Sequence, residues 1–586
     1  MTGRETLEPT IRAAGSAAVL LDLGNLDAAL RAFALLVQAR DRGELVVDDL
    51  VPAAATVLVA GGEARDARAL AAKLRRLLAG DGAGADSGVG DPSSAGTVAD
   101  ASPATVIPVH YTGEDLAEVA ALTGMSQQAV IDRHVAAEYT VAFTGFAPGF
   151  AYLSGGDPLL EVPRRATPRP RIQPGSVGLA GPFSGVYPRE SPGGWQIIGL
   201  TEHKMWDLTR EHPAALVAGG TVRFEVARES VVGSGRSAPP EAPTAELAPA
   251  EMPDQSVSVL RVLDAGLQSL IEDGGRHGAS GMGVGESGTA IRGAYREANR
   301  LVGNEPGAAA IELSHGGFAL EAIAATVLAI TGAERANQIT GPFGSRRAPH
   351  AVPFRLSAGE LVTLQAPARG LRTIVGVRGG IDAPPVLGSR SRDTLAGLGP
   401  EPLEVGNELA VVGTRSPVEE PGAASGLGDP APLPVSGETT ELRVVFGPRD
   451  DWFDPQALAA FTDERWEVTP RSDRVGVRLA GRAVARASEY QGRELPSEGM
   501  VLGAIQVPPD GQPVLFLADR PLTGGYPVIA VVHDDDLELA AQLPPGSFVR
   551  FVRAVPAVTP VLAVPSIDAT SIHRAQAHDN VQDADS

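Results

Sequence analysis

Gly193-Gly-Trp-Gln-Ile-Ile198 and Gly524-Gly-Tyr-Pro-Val-Ile529 repeat one pattern: a glycine pair, an aromatic ring, then an apolar run. Upstream of each lies a glycine-bounded apolar segment, Gly175-Ser-Val-Gly178 in the first case and Gly499-Met-Val-Leu-Gly503 in the second. A proline turn follows at Tyr187-Pro188 and at Pro508. Short apolar runs punctuated by Gly and Pro read as strands joined by turns, and their recurrence in one order predicts two β-barrels of related topology. The composition agrees, since 69 Gly and 48 Pro in 586 residues favour short strands over long helices. The length calls for at least two independent cores.

Working outward, Ala18–Leu23 and Val57–Ala60 read as strands. Residues 26–40 and 64–78 read as amphipathic helices, the first with Leu26, Ala29, Leu30, Phe33, Leu36 and Val37 on one face. A strand over Thr105–Tyr111 and helices over 114–123 and 126–136 follow, the last capped by Ser126. A further helix over 289–302 stops at Gly303. Residues 79–104 hold almost no bulky apolar side chain and are expected to form a flexible insertion. The Pro-rich stretch 229–255 is expected to be a linker, 415–438 a second one, and 556–586 a largely disordered tail. The expected domains are therefore 1–228 and 256–555, in a fold that is mainly β with smaller α/β lobes.

A formal charge of −22 repels phosphate backbones and anionic lipid headgroups, so neither nucleic acid nor an acidic membrane is expected as a partner. There is no cysteine, which excludes disulfides, thiolate zinc sites and a cysteine nucleophile. Lys73 and Lys204 are the two lysines, and neither stands in a phosphate-loop spacing. The ten histidines show no metal-ligand spacing, so no metal site is expected. The apolar run Ala17–Leu23 is broken by Asp22 and is too short to span a bilayer, which makes the cytoplasm the expected location.

Three regions carry residues suited to chemistry. In Gly145-Phe-Ala-Pro-Gly-Phe-Ala-Tyr-Leu153, Phe146, Pro148, Phe150 and Tyr152 make a rigid aromatic loop, to be read either as the wall of a ligand pocket or as a buried corner. Arg164, Arg165, Thr167, Arg169 and Arg171 follow, either a solvated basic loop or a clamp for a carboxylate or phosphoryl group. In the second half, Glu272-Asp-Gly-Gly-Arg276-His277 sets a carboxylate, a guanidinium and an imidazole among glycines. Gly388-Ser-Arg390-Ser, Ser472-Asp473-Arg474 with Arg478, and Asp519-Arg520 with Thr523-Gly-Gly-Tyr526 each place a hydroxyl or carboxylate beside arginine. Together they predict a polar cleft between lobes.

These motifs carry a family resemblance. Residues 1 to about 228 resemble the B-type subunit of bacterial ATP-dependent 5-oxoprolinase, also called allophanate hydrolase subunit 1. The likeness rests on the 145–153 loop, Pro163-Arg-Arg-Ala-Thr-Pro-Arg169, Gly175-Ser-Val-Gly-Leu-Ala-Gly181, Gly185-Val-Tyr-Pro188 and Ser191-Pro-Gly-Gly-Trp195. Residues from about 256 to 555 resemble the C-type subunit of the same enzyme, the allophanate hydrolase subunit 2 type. That likeness runs through Asp273-Gly-Gly-Arg276, Ala298-Asn-Arg-Leu-Val-Gly-Asn304, Gly379 to Ser391, Ser472 to Leu479, Gly503 to Pro513 and Thr523 to Pro527.

The resemblance implies two cyclophilin-like barrels in a natural fusion of the B and C types, similar to the carboxyltransferase part of urea carboxylase. It implies hydrolysis of the 5-oxoproline lactam to glutamate with an A-type partner subunit, ATP and magnesium. The roles it suggests are catalytic for Asp273, Arg276 and Asp473. They are substrate or phosphate binding for Arg164, Arg165, Arg169, Ser176, Tyr187, Arg390, Arg474, Arg478, Gln506 and Tyr526. Phe146, Pro148, Phe150, Tyr152 and Trp195 would wall the pocket. A homo-oligomer is compatible with it. The alternatives are a carboxyltransferase acting on urea or a related amide with biotin supplied by another chain, and a regulator that binds a histidine kinase. The chain departs from the family pattern at Glu272, at Thr289-Ala-Ile291, where an acidic residue is usual, and at Arg392.

Overall fold

The computed structural model describes residues 9–61, 66–79, 104–165, 167–227, 256–342, 344–412 and 432–554. Of the expected flexible segments, 80–103 of the insertion, the 229–255 linker, 415–431 of the second linker and the 556–586 tail lie outside the described residues.

The amino-terminal lobe is a four-stranded antiparallel sheet ordered Thr10–Ala13, Ala18–Asp22, Thr56–Ala60, Asp49–Pro52, backed by helices Leu26–Asp41 and Ala67–Ala79. The Asn25 side chain caps the first helix by accepting from Ala28 N at 2.9 Å. Leu36 and Leu74 enter its core. The edge strands 10–13 and 49–52 are too short to show in the apolar pattern.

Two barrels follow, and their strands have the same order. In the first, Thr105–Val109 pairs in parallel with Thr221–Val226, and the sheet continues through Glu138–Thr144, Ala151–Ser154, Phe183–Val186, Ser176–Ala180 and Gln196–Leu200. In the second, Thr439–Phe446 pairs in parallel with Phe548–Arg553. That sheet continues through Trp466–Val468, Gly476–Ala480, Val514–Phe516, Ala504–Gln506 and Val528–Val532. The second closes as a full ladder, Val444 opposite Val532. The first is brought to closure by one bridge, in which His110 and Leu200 exchange bonds of 2.8 and 2.9 Å. The Gly-Gly-aromatic repeat thus marks equivalent strands, as two barrels of related topology require.

Side chains alternate inward along these strands to form separate cores, with Val141, Val177, Ile198 and Phe224 in the first and Leu442, Trp466, Ile505 and Phe551 in the second. Helices Leu116–Thr123 and Gln127–Ala136 cover the first barrel. Ser126 caps the latter and Gly124, at φ +68°, ends the former in the left-handed conformation. Between the barrels lies a third unit of a six-stranded and a five-stranded sheet, covered by helix Arg292–Val302, which stops at Gly303. Among the described residues no helix is long and apolar enough to cross a membrane.

The lobes interlock across the chain. Arg449 joins Asp22 of the amino-terminal lobe at 2.8 Å to Glu498, on a two-stranded ribbon beside the second barrel. Leu58 packs into the space left by Gly499. The aromatic loop of the first barrel reaches the second half through Phe146 N, which bonds Thr523 Oγ1 at 3.2 Å, and Gly149 N, which bonds Met282 O at 3.0 Å. A Cβ on Gly145 would stand 2.4 Å from that threonine oxygen, so this joint requires glycine.

Candidate active site

The turn after strand Gln268–Glu272 is assembled around one carboxylate. Asp273 Oδ1 accepts from Ser389 Oγ and Ser391 Oγ, both at 2.6 Å, and from Gly275 N at 2.9 Å, while Oδ2 accepts from Arg390 N at 2.6 Å. Asp273 therefore ties the Gly388–Ser391 segment to the Asp273–Arg276 turn. The tie aims Arg276, which is 1% exposed. Its Nε donates to Val386 O at 3.2 Å and its Nη2 to Ser391 O, while its Nη1 has no partner among the described residues. Burial pulls this guanidinium down, against Asp393, Glu272 and Asp273.

Beneath it lies a buried charge cluster centred on Arg474. Nε and Nη2 bond Asp519 at 3.0 and 3.1 Å, Nη2 also bonds Gly288 O at 2.6 Å, and Nη1 bonds Glu312. Glu272 stands 3.4 Å from Nη2 and Arg372 stands 3.7 Å from Glu312. Burial works against the Arg474 charge, yet Asp519, Glu272 and Glu312 hold its guanidinium well above its usual range. Glu272 is pushed well up by burial, and Asp393 is raised to about 6 by burial and by Asp519. Glu312 also accepts from Thr289 Oγ1 and Ala290 N at 2.8 Å. Ile291 points instead into the apolar core with Tyr295 and Ala298, so the departure from an acidic residue here fills a packed position.

Arg276 opens on a cleft of about 620 Å³ between the amino-terminal lobe and the second half. Asp49 enters from the lobe. Its Oδ1 accepts from Ser280 Oγ at 2.6 Å and from Leu50 N at 2.9 Å, and burial raises its carboxyl. Arg520 and Glu286 also line the cleft, the latter held by Arg292 at 3.0 Å and His277 at 3.2 Å. Glu538 accepts from Gly293 N and Ala294 N at 2.8 and 2.9 Å and so caps helix Arg292–Val302 at the cleft edge. Cationic donors and a carboxylate of raised pKa in one half-buried hollow suit a small molecule that carries both an anionic group and an N–H.

Of the residues singled out from the sequence, Arg276, His277 and Arg520 line this cleft. Asp273 and Arg474 support it from behind. Arg390 has its side chain 3.9 Å from Asp382, while Arg478 is exposed and its backbone N donates to Ser472 Oγ at 3.0 Å. Asp473 is exposed, its Oδ1 closing a turn on Val475 N and Gly476 N. Gln506 donates to Tyr526 O at 2.9 Å and fixes the Gly-Gly turn, and Tyr526 is exposed.

The residues of the first barrel lie apart from the cleft. Arg169 grips Asp115 with two bonds of 2.8 Å, and Arg165 bonds the same carboxylate at 2.5 Å, so both forks are engaged. Arg164 sits 3.9 Å from Glu494, with Nη1 beside Gly525 of the second half. Phe146, Phe150, Tyr152, Tyr187 and Trp195 meet edge to face, Phe150 at 5.2 to 5.4 Å from its neighbours. With buried Pro148 and Ser176 they form a packed corner rather than lining the cleft. Asp49 and Glu286 escaped the sequence reading. Asp49 is brought to Ser280 across 231 positions by lobe docking, which no local pattern announces.

The chain matches the carboxyltransferase domain model twice, subdomains C and D over residues 9–216 and subdomains A and B over 282–553. It is 34% identical to the C-type subunit of 5-oxoprolinase from Escherichia coli (strain K12) over 297 residues, half of this chain and 91% of that protein. It is 48% identical to the B-type subunit of 5-oxoprolinase from Escherichia coli O157:H7 over 128 residues, 21% of this chain and 59% of that protein. Urea amidolyase of Saccharomyces cerevisiae is 32% identical over 333 residues, 53% of this chain and 18% of that protein. The crystal structure of TTHA0988 in space group P212121 superposes with a TM-score of 0.74 at 33% identity, covering 93% of this chain and all of that one.

Proposed function

The chain belongs to the carboxyltransferase-domain family of the B-type and C-type 5-oxoprolinase subunits, and from that membership we propose that it is the fused B and C component of an ATP-dependent 5-oxoprolinase. With an A-type partner subunit it opens the lactam of 5-oxoproline to glutamate. The observation that carries this reading is the buried, unpartnered Nη1 of Arg276 at a cleft built by both halves. The substrate carboxylate, or the oxyanion that develops as the ring opens, takes that donor, with Arg520 alongside. Asp49 accepts the lactam N–H from the opposite wall. Its raised pKa suits a group that returns a proton to the departing nitrogen.

A lactam is a poor electrophile, and ATP supplies a phosphoryl group that makes its oxygen a leaving group. ATP with its magnesium is assigned to the assembled enzyme.

The test is to mix the chain with an A-type partner, ATP and 5-oxoproline and to assay glutamate and phosphate. Equal release of both is expected, and Arg276→Lys is expected to lower kcat/KM by about 10- to 100-fold, or about 1.4 to 2.7 kcal/mol. No turnover with a partner of verified activity would overturn the reading. The likeness to urea amidolyase supports a second reading, a carboxyltransferase on urea or a related amide. Lys73 and Lys204 lack the Ala-Met-Lys-Met context of a biotin carrier, so biotin would have to arrive on another chain. Carboxylation of urea on adding a biotinylated carrier, with no glutamate released, would establish that alternative.

A further inference from the structure

Three surface arginines of this protein grip carboxylates by the Nε and Nη2 edge. Arg42, Arg171 and Arg300 each present Nε and Nη2 side by side to the two oxygens of Glu44, Glu190 and Glu297, at 2.7 to 3.0 Å. That edge matches a planar anion with two oxygens. In Arg335 the same edge is buried with no hydrogen-bond partner among the described residues. The residue is 6% exposed, Nη1 donates to Gly316 O at 3.1 Å, and neither Nε nor Nη2 has a partner among the described residues. Burial alone pulls its guanidinium down to about 10, with no carboxylate opposing, so it still carries its charge at neutral pH.

Two side chains of the same stretch also carry unsatisfied polar atoms. The ladder that pairs Gln338 with Arg347 continues through a 3.0 Å bond from Ala348 N to Asn337 O, which brings His350 back towards Arg335. Burial lowers the His350 imidazole, and of its charged neighbours Glu334 raises it while Arg335 and Arg347 lower it. His350 Nδ1 has no hydrogen-bond partner among the described residues, nor do Nδ2 and Oδ1 of Asn337, which is 4% exposed. A buried cation is costly unless paired, and buried amides are costly unless bonded. None of these residues lines the cleft, so the proposed reaction does not use them.

We propose that Arg335, Asn337 and His350 form a second binding site, specific for a small planar oxyanion of the carboxylate class, such as formate or bicarbonate. The Nε and Nη2 edge takes two coplanar oxygens, the Asn337 amide and the His350 ring supply neutral donors, and burial of Arg335 and Asn337 restricts the ligand to a few atoms. A spherical halide meets one point of the fork and leaves the rest unbonded.

The full chain, dialysed into chloride, is titrated with sodium formate and, in parallel, sodium bicarbonate at constant ionic strength while its unfolding temperature is read. A ligand that binds only the folded state raises that temperature in a saturable way. A saturable rise with either anion is expected, with the tighter of the two naming the ligand, and an apparent affinity at least tenfold weaker in Arg335→Met. A crystal of the unaltered chain grown in that anion should show it across Nε and Nη2, which keeps the test available if the methionine variant does not fold. The proposal is overturned if neither anion differs from chloride, if Arg335→Met responds as the unaltered chain does, or if only water lies along that edge.

Discussion

The two barrels have the same strand order and use their arginines in opposite ways. In the first, Arg165 and Arg169 converge on Asp115 at the rim, where both guanidinium groups are partly open to solvent, and the interior holds a buried imidazole, His134. That imidazole is lowered to about 3 by burial and is neutral, its ring nitrogens 2.7 Å from Tyr111 Oη and 2.9 Å from Ser184 Oγ. In the second, Arg474 has no exposed surface and stands among Glu272, Glu312 and Asp519, directly behind the turn that carries Arg276. One topology thus supports a closed structural barrel and a barrel whose charged base orients a cleft. The difference lies in where carboxylates enter: Asp115 comes from the barrel's own covering helix, whereas Glu272 and Glu312 come from the neighbouring unit.

The comparison is broken most directly at Arg474. Arg474→Met leaves three buried carboxylates without their common partner, and removal of one member of such a cluster typically costs about 3–5 kcal/mol. Denaturant unfolding followed by Trp fluorescence measures it, and Trp466 lies in the same barrel. A loss under about 1 kcal/mol would mean that the cluster is not the base of the site. Asp519→Asn should behave alike with a smaller loss, since the amide oxygen can still accept from Thr394 N and Oγ1 while the amide N–H can donate to Ser287 Oγ.

The repeat of Gly-Gly-aromatic segments made the two barrels legible because strand ends and turns are written locally. Ser126 and Gly303 were legible for the same reason: a cap and a left-handed stop depend on residues a few positions away. The site was legible only in part. The Asp273-Gly-Gly-Arg276 turn pointed to the cleft, but the arginines after Pro163 read equally well as an anion clamp or a basic loop, and which holds depends on Asp115, about 50 positions earlier. The cleft has a wall from a lobe whose short strand 49–52 carries too few residues for a periodic signal. Contacts made by docking, such as Asp49 with Ser280, leave no trace in spacing.

At the first barrel the corresponding change is Asp115→Asn. It removes the charge shared by Arg165 and Arg169 but keeps an oxygen for Ile197 N, which Asp115 holds at 2.7 Å. Its cost is expected at about 1–3 kcal/mol, below that of Arg474→Met, because both arginines can turn to solvent. Activity with the partner subunit should be unchanged per folded molecule. A kcat loss greater than about tenfold would place anion binding in the first barrel after all.

The smallest effect is one of sign. Burial pushes Asp115 up, but Arg169, Ile197 N–H and Arg165 together hold it below the usual carboxylate range. Its contribution is therefore present above the ordinary carboxylate pKa and is lost as pH falls through its lowered folded value. Asp393 behaves in reverse. Burial and Asp519 raise it to about 6, so the folded state holds its proton more tightly than the unfolded chain does. Stability from this group is full below the ordinary aspartate value and falls as pH rises towards 6. Asp393→Asn keeps an oxygen for Ala396 N, which donates to Oδ1 at 2.7 Å. Relative to the unaltered chain it should gain on the order of 1 kcal/mol between pH 4 and pH 7, while Asp115→Asn should keep a constant deficit over that range and recover it only as pH falls below about 4. Unfolding midpoints read from pH 2 to pH 7 should show the Asp393→Asn difference changing above about pH 4 and the Asp115→Asn difference changing below it. A pH-independent Asp393→Asn difference would mean that Asp393 does not feel Asp519, leaving the Arg474 cluster no electrostatic reach towards the turn of Arg276.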